Sequence, residues 1–231
     1  MAESFSSRGM CFGSRRAVPV ALLDEAESSP LVGAERAAVA RLLPLLGCGE
    51  EAASLAFDAL AGAHERARDR YALYGIAQEE RIHDMWIQAQ INRFAPSAPP
   101  APLLKQARHL HLRLGRGRPS ERLARIAALD AAVCLLLSRL LRPSRPICRD
   151  GVLAATLRRI RNDEARHVSV ARDLARDALP LDTLNAIGAE TRAAFADVLM
   201  LGSAAFDTLG VDPIALDRAV RTLPPGLFGA R

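Results

Sequence analysis

Apolar residues recur at helical spacing along most of this chain. Leu73, Ile76, Glu80, His83, Ile87 and Ile91 fall on one stripe, and Leu157, Ile160, Glu164, His167, Ala171 and Ala175 fall on another. The steps before and after the glutamate are the same in both. Strand-type alternation and runs of Val and Thr are missing, so the pattern predicts an all-α fold.

Breaks in the pattern divide the chain. Residues 1–29, rich in Ser, Gly and charge, are expected to be a poorly ordered N-terminal segment. Residues 30–231 then form one helical domain, with a core bundle at about 50–178 and C-terminal helices at 181–222. A preliminary helix is expected from Pro30 to Leu46, weakened by Pro44 and broken by Gly47 and Gly49. Core helices should run from Glu50 to Ala63, Arg70 to Phe94, Pro119 to Leu141 and Val152 to Ala178. The proline-rich stretch 95–102 reads as a crossover linker, followed by a short helix over 103–114. Beyond Pro180, a helix from Leu181 to Leu209 with a break at Gly202, and a last one from Pro213 to Thr222, should pack outside the bundle.

Two features of the pattern carry chemistry. Glu80-Arg81-Ile82-His83 and Glu164-Ala165-Arg166-His167 each put a carboxylate and an imidazole three residues apart, on one helical face and in mid-stripe. Ile126 to Leu137 is apolar all round apart from Asp130, so that acid should be buried. A buried carboxylate without a partner costs several kcal/mol, and a metal ion removes the cost. Counting from the connecting loops places Asp130 level with Glu164 and Glu50 level with Glu80. Glu50 fits its stripe better than Glu51. Each half therefore reads carboxylate, helix, turn, helix, Glu-x-x-His.

Composition narrows the classes. Half of the 231 residues are apolar, enough for a sizeable core. The net charge is +5, carried almost wholly by arginine, with Lys105 the one lysine. The arginines are spread over every predicted helix, which suits solvated faces better than a nucleic-acid site; docking of an acidic protein is the minority reading. Cys11, Cys48, Cys134 and Cys148 form no CxxC pair, so neither a disulfide framework nor a zinc or iron–sulfur site is expected. The short apolar run Ala17 to Leu23 contains Pro19 and ends in acids, unlike a signal peptide, and no segment is long enough for a bilayer. A reduced, cytoplasmic protein is the expectation.

Over about Glu50 to Ala178 the chain resembles the ferritin-like diiron-carboxylate superfamily, a four-helix bundle in which two Glu-x-x-His motifs and two single carboxylates hold two irons. The resemblance implies Glu50, Glu80, His83, Asp130, Glu164 and His167 as ligands. Asp130 departs from the commoner Glu. The acid before each motif, Glu79 and Asp163, is similar to the (D/E)ExxH form of oxygen-activating diiron oxygenases, where it holds a ligating imidazole from behind. Arg166 would pair with one of these acids. The aminobenzoate N-oxygenases of this type have a third His upstream of the second motif, where Ile160 and Leu157 stand here.

Four carboxylates balance two Fe²⁺; manganese or a mixed pair stays open. The expected activity is an O2-dependent diiron oxidoreductase acting on a small organic substrate by hydroxylation, N-oxygenation or desaturation. A separate ferredoxin or reductase would supply electrons, because no flavin or nicotinamide motif is visible. Trp86 and Tyr74 are candidate pocket residues, with core packing the ordinary role of aromatics at these positions. A ferroxidase or storage protein, and a peroxidase or dimanganese catalase, remain alternatives, as does a metal-free interaction bundle. Neither nucleic acid nor membrane is expected as a partner, and a homodimer stays open.

Overall fold

The computed structural model describes residues 29–94, 101–222 and 226–229. Eight α-helices are found among them: α1 (Gly33–Ala63), α2 (Ala67–Phe94), α3 (Ala101–Leu114), α4 (Pro119–Leu140), α5 (Gly151–Arg176), α6 (Leu181–Met200), α7 (Ser203–Thr208) and α8 (Pro213–Arg221). No strand occurs among the described residues, as the apolar periodicity predicts. Apart from Ser29, the N-terminal segment lies outside them, as does most of the 95–102 linker. That linker ends earlier than expected, since α3 already begins at Ala101.

α1 pairs with α2, and α4 with α5, as two helical hairpins. The hairpins meet chiefly through α2 against α5, with α1 touching α4, and the four helices form a bundle. Outside it, α6 lies on α4, α8 on α6, and α3 and α7 on α1. Asp150 caps α5 by accepting a hydrogen bond from the Leu153 amide at 3.0 Å. Glu121 accepts from the Arg118 amide at the start of α4, where Pro119-Ser120-Glu121 marks the entry in the sequence. Gly202 divides α6 from α7 as expected.

Two expectations are corrected. The preliminary helix and the first core helix are one continuous element, α1, running through Pro44, Gly47 and Gly49. These residues lower helix propensity, but tertiary contact overrides it. A Cβ on Gly47 would lie 3.1 Å from Gln88 Nε2 and 3.4 Å from both Ile87 Cγ2 and Ile91 Cδ1. The glycine therefore marks where α1 and α2 approach closely rather than a break. Cys48, fully buried on α1, is disulfide-bonded, whereas Cys134 and Cys148 are free. No helix of the described residues is long and apolar enough to cross a membrane.

The core is split in two. One apolar cluster includes Leu43, Cys48, Ile87, Ile91, Leu136, Leu157 and Ile160. A second includes Phe57, Leu60, Leu73, Ile76, Leu123, Ala127, Ala171 and Ala175. On α1, α2 and α5 the residues between the two clusters are Glu50, Glu80 with His83, and Glu164 with His167. A polar layer thus crosses the bundle between two apolar ones.

Candidate metal centre

The polar layer is buried. Glu50, Glu80, His83, Asp130, Glu164 and His167 are all buried, with Glu80 and His167 at 0 % exposure. Such groups belong to the costliest to bury unless something compensates their charge. Glu50, Glu80, His83 and Glu164 each offer a ligand atom, and these atoms all lie within 4.8 Å of one another. Four acidic and imidazole groups at that separation could hold a metal ion.

The two imidazoles sit on either side of a shared carboxylate pair. His83 Nδ1 lies 3.3 Å from Glu80, 3.4 Å from Glu50 and 3.8 Å from Glu164. His167 Nδ1 lies 2.9 Å from Glu80 Oε1 and 3.7 Å from Glu164 Oε2. Glu80 and Glu164 therefore reach both rings, whose centroids are 5.9 Å apart. Asp130 belongs to the same electrostatic group, coupled most strongly to Glu164 and then to Glu80. It falls outside the tight set of four, as does His167. The arrangement has two halves, Glu50 with His83 and Asp130 with His167, with Glu80 and Glu164 common to both.

The second half holds unanswered polar atoms. Glu80 Oε1, His167 Nδ1 and Asp130 Oδ2 are buried without hydrogen-bond partners. Glu80 Oε1 and His167 Nδ1 are close, but not aligned for a hydrogen bond. Buried polar atoms are seldom left in this state. Two such atoms side by side, with a third nearby, suit donation to a cation.

Titration behaviour says the same. Burial raises Asp130 well above the usual carboxylate range, and repulsion from Glu164 and Glu80 adds to it. Burial likewise raises Glu164, and it pushes Glu50 up to about 7 against the opposing pull of His83. Burial alone would lower the imidazoles. Instead, Glu50 and Glu80 raise His83 to about 11, and Glu164 and Glu80 do the same for His167. Without a metal, protons hold this cluster together; divalent ions would displace them.

Behind each ring stands an acid from the opposite helix. His83 Nε2 lies 3.2 Å from Asp163 on α5, and His167 Nε2 lies 2.8 Å from Glu79 on α2. Arg166 donates to Glu79 at 2.7 Å and approaches Asp163 at 3.6 Å, while Arg159 donates to Asp163 at 3.0 Å. Burial would raise both acids, but hydrogen bonds from these arginines and imidazoles outweigh it and hold them below the usual range. Each ring thus has Nε2 engaged from behind and Nδ1 turned to the shared carboxylates.

The remaining sequence candidates separate. Glu50, rather than Glu51, joins the tight set, although both are buried. Asp58, also on α1, pairs with Arg81. Trp86 and Tyr74, the candidate pocket residues, are not among the residues lining the cavity at the site. Tyr74 lies off the α2 stripe and is 53 % exposed, while Trp86 packs beside the His83 ring and the larger core cluster.

The cavity itself opens on the other side, between α1, α3, α4 and α6, and has a volume of about 370 Å³. Glu50, Asp130 and Glu164 reach it from the cluster. Its lining also contains His111, whose sequence position suggests only a structural or solvated side chain, and Arg122. Arg122 could have been found, because it continues the face of Ile126 and Asp130. His111 gave no comparable signal, since nothing in the sequence shows that α3 folds back over α1. No protein-family model, curated protein or solved structure matches this chain, so what the site is must be argued from its own geometry.

Proposed function

We propose that the chain is a ferritin-like dinuclear metal protein that binds two divalent ions, preferentially iron, and oxidises a small organic molecule with O2. The observation that carries this reading is the reciprocal placement of His83 and His167, each with Nδ1 toward Glu80 and Glu164 and Nε2 on an acid of the facing helix. Four carboxylates and two imidazoles suit two divalent ions of hard to borderline character. Glu50 and His83 would complete one position, Asp130 and His167 the other.

Bound iron would supply the electrons and the open coordination that O2 reduction needs. The protein's own residues do the rest. Asp163 and Glu79 fix the tautomer and direction of the imidazoles. The apolar layers above and below exclude water. The adjoining cavity gives an organic molecule access beside Glu50, Asp130 and Glu164. That cavity favours substrate oxidation over ion storage, which needs a polar route for ions instead. Reducing equivalents would come from a separate ferredoxin or reductase.

The test is anaerobic loading with Fe²⁺ followed by a pulse of O2. About two ions per chain and stoichiometric O2 uptake are expected. Growth of ferric mineral well beyond the ligand capacity would favour the ferroxidase reading, and trace metal alone would remove both. Asp163→Asn keeps the size of the side chain but removes its charge. Metal affinity should fall about ten- to a hundredfold, as for other partners of ligating histidines. Competition with a chromophoric chelator measures it; unchanged affinity would mean that His83 is not a ligand.

A further inference from the structure

The cavity beside the cluster has a polarity of its own. Most of its wall is apolar, from residues such as Leu45, Ala53, Leu110, Ile126 and Phe195. The acids of the cluster reach it, and Arg122 is the one arginine in its lining. Arg122, Ile126 and Asp130 follow one another at four-residue steps on α4 and so share a face. The helical rise puts Arg122 and Asp130 about 12 Å apart along the axis.

Arg122 is half-buried and pairs with no acid among the described residues. Its Nε is buried without a hydrogen-bond partner. A half-buried guanidinium in a mostly apolar wall favours an anion beside it. His111 does not compete for that anion: burial pushes its pKa down to about 4, leaving the ring neutral at pH 7. Its Nε2 faces Gly49, the residue before Glu50.

We propose that the cavity takes a small monocarboxylic acid with an apolar body, its carboxylate on Arg122 and its far end toward Asp130 and Glu164. Guanidinium and carboxylate match as a two-point pair, and the apolar wall takes the body. A molecule with a cationic head would meet Arg122 repulsively. The spacing along α4 then makes the end remote from the carboxylate the position presented for oxidation, and for this step the inference rests on the metal-centre reading above.

Titration calorimetry with octanoate, 1-octanol and octylamine tests the assignment. It is run on the protein as purified and after removal of metal with a chelator. Octanoate should bind roughly ten- to a hundredfold more tightly than 1-octanol, the range for a hydrogen bond to a charged group, and octylamine no better than the alcohol. Arg122→Met keeps the aliphatic stem and should erase the difference. Arg122→Lys should keep part of it, whereas Arg113→Met, exposed on α3, should leave it intact. Circular dichroism checks that each variant is folded.

Equal affinity for acid and alcohol, no binding of either, or an acid preference that survives Arg122→Met would overturn the proposal. Metal content measured on the same samples keeps the two readings apart. A protein that takes up no metal but prefers octanoate would retain this site and lose the metal centre. A protein holding two metals with no acid preference would do the reverse.

Discussion

Glu164→Ala should abolish metal binding at both positions, whereas Glu50→Ala should leave about one ion per chain of the two expected for such bundles. The difference follows from reach. Glu164 lies 3.8 Å from His83 Nδ1 and 3.7 Å from His167 Nδ1, so its removal strips a ligand from each half. Glu50 contacts His83 and belongs to one half. The loss in Glu164→Ala should exceed the ten- to hundredfold expected for an outer partner such as Asp163. Elemental analysis after loading and desalting reads the stoichiometry. Unfolding must be separated from ligand loss, so helix content and melting of the metal-free proteins are compared as well. Burial and Glu50 both disfavour the charged form of Glu164, so alanine should not by itself unfold the chain. Equal stoichiometry in the two variants would refute the shared-ligand geometry.

The second large effect concerns stability. Asp150→Ala should cost about 3–5 kcal/mol, the range for breaking a buried ion pair. Asp150 is 0 % exposed and does three things at once. It receives both Arg93 guanidinium nitrogens, at 3.0 and 2.9 Å. It caps α5 through the Leu153 amide, and it accepts the Ser29 hydroxyl at 2.5 Å. The end of α2, the start of α5 and Ser29 are tied together there. For a chain of this size such a loss lowers the melting temperature on the order of 10 °C. Burial would raise this carboxyl, but its hydrogen bonds from Arg93, Leu153 and Ser29 win and hold it below the usual range. Its contribution is therefore complete above the unfolded value of about 3.9 and is lost as pH falls through the lower folded value. Urea unfolding from pH 7 down to pH 2 should show a steeper acid decline in the wild type than in Asp150→Ala. Parallel curves would mean that the pair contributes little.

Local signals made the bundle helices legible. The matching stripes of α2 and α5 and the lone acid of α4 are properties of single helices, and each placed its residues in the buried layer. Glu50 needed more, a count from the shared turn for its height and its place on the stripe for the preference over Glu51; Glu50 is the one that joins the tight set. What the sequence hid depends on neighbours far along the chain. Gly47 resembles a helix breaker until Ile87 and Ile91 are seen against it. The cavity wall draws on α3 and α6, and no periodicity in either helix reveals which bundle helix it will cover. Tyr74 and Trp86 drew attention because they are aromatic and close in sequence to the motif. Their faces, not their distance from Glu80, decided where they went.

The reciprocal holding of the two imidazoles has a mechanical consequence. Both rear contacts, His83 to Asp163 and His167 to Glu79, cross the same boundary between α2 and α5. Any splaying of these helices lengthens both contacts together, and neither ring can be adjusted alone. Ion size would therefore be gauged by the stiffness of the whole helix pair. An ion too large for the cluster would have to part the two hairpins, while one too small would leave the rings tethered out of reach. Discrimination of this kind is collective: it resides in the separation of two helices, and packing far from the ligands could retune it.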